Sequence, residues 1–154
     1  MNGQDTKDIV IFDLDGTLAL IDHRRHFVEG KGSKATDEDW RDFFAASVDD
    51  EPNWPVILIN RLLFDNGYRV IIFSGRSKEV ERETLEWLKR YDVRYHKIFM
   101  REEKDFTPDE KLKKRWLGRL KQDRILVVFD DRQKVVDMWR RKGITCFQVA
   151  PGDF

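Results

Sequence analysis

Five short, continuously apolar runs separated by stretches of helical periodicity constrain this chain more than any other feature. The runs are residues 8–13, 69–73, 97–100, 125–129 and 144–149, rich in β-branched and aromatic side chains. None of them alternates polar with apolar residues, so each needs cover on both faces, as strands of a parallel sheet do. Helical patterns fill the intervals at 55–66, 77–91, 108–121 and 132–142. Strand alternating with helix is the signature of βαβ units, and the expected class is α/β, a parallel sheet with helices on both faces. Thr107, Pro108 and Glu110 read as a capping box that opens the third of those helices. Residues 19–54 break the alternation: polar at first, they then carry Trp40, Phe43 and Phe44 at helical spacing. That predicts an insertion with a buried aromatic helix face, placed to act as a small cap or lid beside the first strand. The expectation is one domain over residues 1–154 with this insertion inside it.

In an open parallel sheet, ligands bind outside the carboxyl ends of the strands. The first run ends in Asp13 and Asp15, followed at once by Gly16 and Thr17. The second ends in Ser74, Gly75 and Arg76, the fourth in Asp130, Asp131 and Arg132, and Lys111 lies on the helix after the third. Gathered carboxylates repel one another unless they share a cation. An oxygen-rich acidic site without Cys or His at ligand spacing calls for a hard divalent ion, of which magnesium is the expected one. Lys111, Ser74, Thr17, Gly75, Arg76 and Arg132 would then supply donors and positive charge for a phosphoryl group. Asp-x-Asp after a strand has a chemical use here, one carboxylate attacking phosphorus and the other protonating the leaving oxygen. Each position also has a purely structural use, as a turn, a helix cap or a solvated face. Their joint occurrence in strand order points to a site. For Lys111 the residues alone do not decide between that site and a solvated face beside Lys113, Lys114 and Arg115.

Charge narrows the substrate. Lys plus Arg total 29 and Asp plus Glu total 29, so no global field favours a long polyanion, and any nucleic-acid contact must be local. Candidate basic contacts are Arg24, Arg25, Arg76, Arg101, Arg132 and the run from Lys111 to Lys121, with Trp40, Trp54 or Phe106 as stacking surfaces. The single cysteine, Cys146, sits in an apolar run and reads as core, which excludes an internal disulfide. No apolar stretch approaches a membrane span and the N-terminus has no secretion signal, so the expected location is cytoplasmic, with no membrane partner.

The motifs "DLDGT" at 13–17, "SGR" at 74–76, Lys111 and "DD" at 130–131 resemble the four motifs of the haloacid dehalogenase (HAD) phosphotransferase superfamily. That resemblance implies a Rossmann-like sheet of order 5-4-1-2-3, a required Mg2+ and an aspartyl-phosphate intermediate. It implies Asp13 as nucleophile and metal ligand, and Asp15 as general acid and base that also binds the metal through its main-chain carbonyl. Ser74 would hold the phosphoryl oxygen, Lys111 would neutralise charge, and Asp130 with Asp131 would complete the metal site. The C-terminal "FDDRQKVVDMWRRKGITCFQVAPGDF" is similar to the end of the phage polynucleotide kinase 3′-phosphatase domain. This implies removal of a 3′-phosphate from a nucleic acid end or a nucleotide, with a separate kinase or ligase as a candidate partner. The alternative is a phosphatase of free mononucleotides or another small phosphomonoester. No G-x-x-x-x-G-K-[ST] occurs, so a kinase site is absent from this sequence.

Overall fold

A computed structural model of the chain describes residues 6–152. Strand β1 (Ile9–Asp13) leads into a two-residue strand β2 (Ala19–Leu20), 3-10 turns at 22–27 and 32–34, helix α1 (Asp37–Ala45), a turn at 46–49 and strand β3 (Glu51–Pro52). Helix α2 (Trp54–Asp65), strand β4 (Arg69–Ser77), helix α3 (Glu81–Arg90) and strand β5 (Lys97–Arg101) follow. The chain then forms helix α4 (Asp109–Leu117), strand β6 (Ile125–Asp130), helix α5 (Gln133–Arg141) and strand β7 (Cys146–Gln148).

The main sheet has the order β5-β4-β1-β6-β7, and every neighbouring pair is parallel. Numbered among themselves, those five strands keep the expected order. The difference is the antiparallel β2–β3 ribbon, which the sequence did not announce because two-residue strands have no periodicity to read. It joins the two ends of the insertion, pairing Ala19 with Pro52 and Leu20 with Glu51.

Period-two alternation divides the core between the two faces of the sheet. Ile9, Ile11, Ile71, Phe73 and Val128 pack against Leu112 and Trp116 of α4 and Val135 and Trp139 of α5. Val10, Phe12, Val70, Ile72 and Phe129 face Val56 and Ile57 of α2 and Trp87 and Leu88 of α3. Cys146 lies in the first of these clusters, and burial pushes its thiol up to about 12, as a packing role requires.

Two local expectations are corrected. Strand β4 continues through "SGR" to Ser77, because its pairing with β5 jumps from Ser74–Met100 to Ser77–Arg101 and leaves Gly75 and Arg76 in the irregularity. Helix α4 is not capped by Thr107, whose amide and hydroxyl both donate to Asp105 Oδ1, at 2.9 and 2.5 Å. A capping box does occur in the insertion, where Thr36 and Asp39 exchange hydrogen bonds at the start of α1.

Candidate active site

Strand parity decides what the carboxylates meet. Asp13 continues the side of β1 that carries Ile9 and Ile11, and Asp130 continues the side of β6 that carries Val128, so both point toward α4 and α5. There the Nζ of Lys113 donates to Asp13 Oδ1 at 2.7 Å and to Asp130 Oδ2 at 2.9 Å. Lys113 is only 1% exposed, whereas Lys111 lies on the solvent face of α4. The lysine that reaches the carboxylates is thus Lys113 and not Lys111. Leu112, Trp116 and Leu117 define the inward face of the helix, and position 113 falls on it while 111 does not. That periodicity was the available signal.

Asp13, Asp130 and Asp131 each offer an oxygen within 4.8 Å of the others, and all three are buried. Burial and the Asp130 charge push Asp13 well above the usual carboxylate range, and the same causes push Asp131 up to about 6. Burial works against a charged Lys113, but the Asp13 and Asp130 charges outweigh it and keep the ammonium protonated. With all three ionised, one ammonium would leave two negative charges uncompensated within the cluster, which is why Asp13 and Asp131 are pushed up in the free chain. An all-oxygen set with excess negative charge fits a hard divalent cation, with Asp13, Asp130 and Asp131 as the residues that would hold it.

Asp15, two residues from Asp13, lies in a different environment. Its Oδ1 accepts from Arg24 Nη2 at 2.7 Å and from Arg76 Nε at 2.8 Å. Buried Asp50 grips both guanidiniums from behind, taking Arg24 Nε and Nη2 at 2.7 Å each and Arg76 Nη2 at 2.8 Å. Burial raises the cost of the Asp15 charge, yet the Arg24 and Arg76 charges hold it below the usual carboxylate range. Arg24 and Arg76, both expected as basic contacts for substrate, are fully buried and clamp Asp15 instead. Arg24 also donates to the Phe43 carbonyl at 3.2 Å and sits 4.3 Å from the Phe43 ring centroid, so the aromatic stripe of α1 packs on the clamp. Asp50 had no sequence signal: it stands among other acids in "VDDE", far from any motif.

The remaining residues surround the two clusters. Thr17 gives its hydroxyl to Asp13 Oδ2 at 3.0 Å, and the Oγ of buried Ser74 accepts from the Arg76 amide at 3.2 Å. Gly16 has φ +80°, and a Cβ there would lie 2.0 Å from Asp131 Oδ2, so the turn admits only glycine. A Cβ on Gly75 would lie 2.5 Å from Asp109 Oδ1. Arg101, also expected at the substrate, donates to the carbonyls of Gly75, Asp105 and Thr107 and to Asp109 Oδ1, and so fastens the loop after β5 to the "SGR" segment. Arg132 is half-buried, with Nη1 3.4 Å from Asp109 Oδ2. Arg25 likewise stands 3.4 Å from Asp22. Among the stacking candidates, Phe106 and Trp54 are exposed, at 66% and 48%, and Trp40 packs on Phe43 and Phe44.

Over residues 7–154 the chain matches the family described as the polynucleotide kinase PNKP phosphatase domain. A protein of Autographa californica nuclear polyhedrosis virus, by its description a bifunctional polynucleotide kinase/RNA ligase, is 33% identical over 146 residues, which are 92% of this chain and 19% of that protein. The solved Pnkp1/Rnl/Hen1 RNA repair complex contains a chain that is 32% identical with a TM-score of 0.80, covering 97% of this chain and 44% of that one. A haloacid dehalogenase-like hydrolase from Streptococcus pneumoniae, 12% identical with a TM-score of 0.64 over 94% of this chain and 85% of that one, shares the fold. The chain thus spans less than half the length of the polynucleotide-repair relatives it matches. No described helix is long and apolar enough to cross a membrane. On the family match over residues 7–154, the chain belongs to the PNKP phosphatase-domain family, a phosphatase domain of the HAD type.

Proposed function

We propose that the chain is a Mg2+-dependent phosphomonoesterase that acts through an aspartyl-phosphate on Asp13, with 3′-phosphorylated nucleic acid ends or nucleotides as substrates. The observation that carries the chemistry is the contrast between Asp13, joined to Lys113, and Asp15, held by two arginines. In this reading Asp13 Oδ attacks phosphorus and the bond to the leaving oxygen breaks; Asp15, ionised in the free chain, takes up a proton as the negative phosphoryl group binds beside it and passes that proton to the leaving oxygen. Asp15 then takes a proton from the water that attacks the phospho-aspartate, and inorganic phosphate leaves. Lys113 neutralises Asp13 and the charge that develops on the phosphoryl group, while Thr17 orients Asp13. Ser74, Gly75 and Arg132 line the phosphoryl pocket, and Arg76 contributes through Asp15. A divalent ion held by Asp13, Asp130 and Asp131, with the Asp15 main-chain carbonyl as a further ligand, would supply electrostatic stabilisation of the transferring group. Residues 19–54 act as a small cap beside the leaving group, and a separate kinase or ligase is the expected partner. The family match and the repair relatives support a polynucleotide as the substrate class, and the 3′ assignment follows from the C-terminal resemblance.

Phosphate release from a 3′-phosphorylated oligonucleotide, a 5′-phosphorylated one and the two mononucleotide isomers tests the substrate. Turnover of the 3′-phosphorylated oligonucleotide well above the others is expected; preference for the mononucleotides would replace this reading with that of a small-substrate phosphatase. Asp13→Asn should reduce hydrolysis of an aryl phosphate to background, and retained turnover would remove Asp13 as nucleophile.

A further inference from the structure

We infer that the segment Gln148–Gly152 is a strap that positions Asp131 for the divalent ion, with the Gln148 side chain and the space at Gly152 as its working parts. This rests on the ion site proposed above.

Strand β7 is the last strand of the sheet, and its pairing with β6 ends at Asp130 opposite Gln148. Past that point β6 gives way to the turn that carries Asp131, and the main-chain groups of a buried turn need partners. The chain after β7 supplies them in order. Val149 N–H donates to the Asp130 carbonyl at 3.0 Å, and Gln133 N–H donates to the Gly152 carbonyl at 3.0 Å. Between these bonds no backbone donor among the described residues pairs with the Asp131 carbonyl. The Gln148 amide reaches across instead, its Nε2 donating to Asp131 O at 3.1 Å and to Gln133 Oε1 at 3.0 Å.

The approach at Gly152 is closer still. A Cβ there would lie 2.1 Å from the Asp131 carbonyl oxygen and 2.6 Å from Arg132 Cα, and both are main-chain atoms that cannot swing aside. Asp131 is thereby held on two sides: Gly16 lies against its carboxylate and Gly152 against its carbonyl. A ligand whose backbone is fixed in this way presents its oxygen without reorganising, and partners of this kind typically set metal affinity over about 10- to 100-fold. At Gly152 the strap also lies against the main chain of Arg132, so its effect on the ion is read without substrate.

The test is Mn2+ binding to the full chain without substrate, read as free Mn2+ by electron paramagnetic resonance. Gln148→Met removes the donor at nearly constant volume, and Gly152→Ala pushes the strap off the turn. Both should weaken Mn2+ binding by about 10- to 100-fold, and Gln148→Met should leave the melting temperature in chelator close to that of the unaltered chain. Unchanged Mn2+ affinity in both variants would overturn the inference. A lowered melting temperature with unaltered affinity would also overturn it, since the strap would then be packing only. If the unaltered chain took up no Mn2+, the ion site itself would fail, a result distinct from failure of the strap.

Discussion

Two buried charge clusters stand side by side at the carboxyl edge of the sheet, and they are balanced in opposite ways. Around Lys113 three carboxylates meet one ammonium; around Asp50 two carboxylates, Asp15 and Asp50, meet the two guanidiniums of Arg24 and Arg76. The first is left hungry for positive charge and its acids are pushed up; the second is closed and keeps Asp15 ionised. Aspartates two residues apart are thus given contrary proton affinities by neighbours from distant parts of the chain. In the chain free of cation and substrate these shifts run opposite to the proposed roles; a bound cation would bring Asp13 down, and a bound phosphoryl charge would bring Asp15 up.

The largest effect expected from breaking this contrast is on turnover. Lys113→Met should lower kcat on an aryl phosphate by about 10²- to 10³-fold, the usual cost of losing one positioned charge at a transferring group. Lys111→Met, on the solvent face of the same helix, should change it by less than about two-fold, since surface changes away from a site are near neutral. Equal effects from the two lysines would mean that α4 is rotated from the arrangement described.

Next is the closed cluster. Arg76→Met leaves Asp50 and Asp15 with one guanidinium between them, and breaking a buried pair costs about 3–5 kcal/mol. Urea unfolding should show that loss. A variant of unaltered stability and abolished activity would sharpen the comparison in another direction, because the clamp would then serve Asp15 alone.

The open cluster has the opposite pH signature. Asp131 titrates at about 6 in the folded chain against an ordinary 3.8. The folded state therefore binds a proton that the unfolded state has already released. The stabilisation is complete below pH 3.8 and lost as pH rises through about 6, at most about 3 kcal/mol for a shift of this size. Melts in chelator at pH 4.5 and 7 should show this fall in the unaltered chain and less of it in Asp131→Asn. Mg2+ should restore stability at pH 7. A chelated chain with the same pH slope in both proteins would remove Asp131 from the account.

How much of this was legible in the sequence follows from how local each signal is. The strands were legible because continuous apolar runs report burial on both faces, and Asp13, Asp130 and Asp131 were legible because they end such runs. The resemblance points to Lys111 and the structure to Lys113, because "KLKK" offers several lysines and only the helix phase separates them. Thr107 looked like a cap, but Asp105 two residues earlier took its hydroxyl. Arg24 and Arg76 read as surface cations because an arginine is normally exposed. What buries them is Asp50, 26 positions from each, and no spacing rule joins the three.

The smallest predicted effect separates the two clusters most cleanly. The open cluster is built on β1, β6 and α4, all parts of the sheet and its cover, whereas the closed one takes Arg24 and Asp50 from the insertion. Helix α1 lies between those two residues in sequence and carries the Phe43 ring and carbonyl that meet Arg24. Its first turn is held by the Thr36 hydroxyl, which accepts from the Asp39 amide at 3.1 Å. Thr36→Ala should cost about 1 kcal/mol, as loss of a helix cap does. If the insertion supports the clamp alone, that loss appears as faster hydrogen exchange over α1 and the 22–27 turn, while Mn2+ affinity stays the same. A cap substitution that weakened Mn2+ binding would show that the clusters share one support, and the contrast between an open and a closed half would no longer hold.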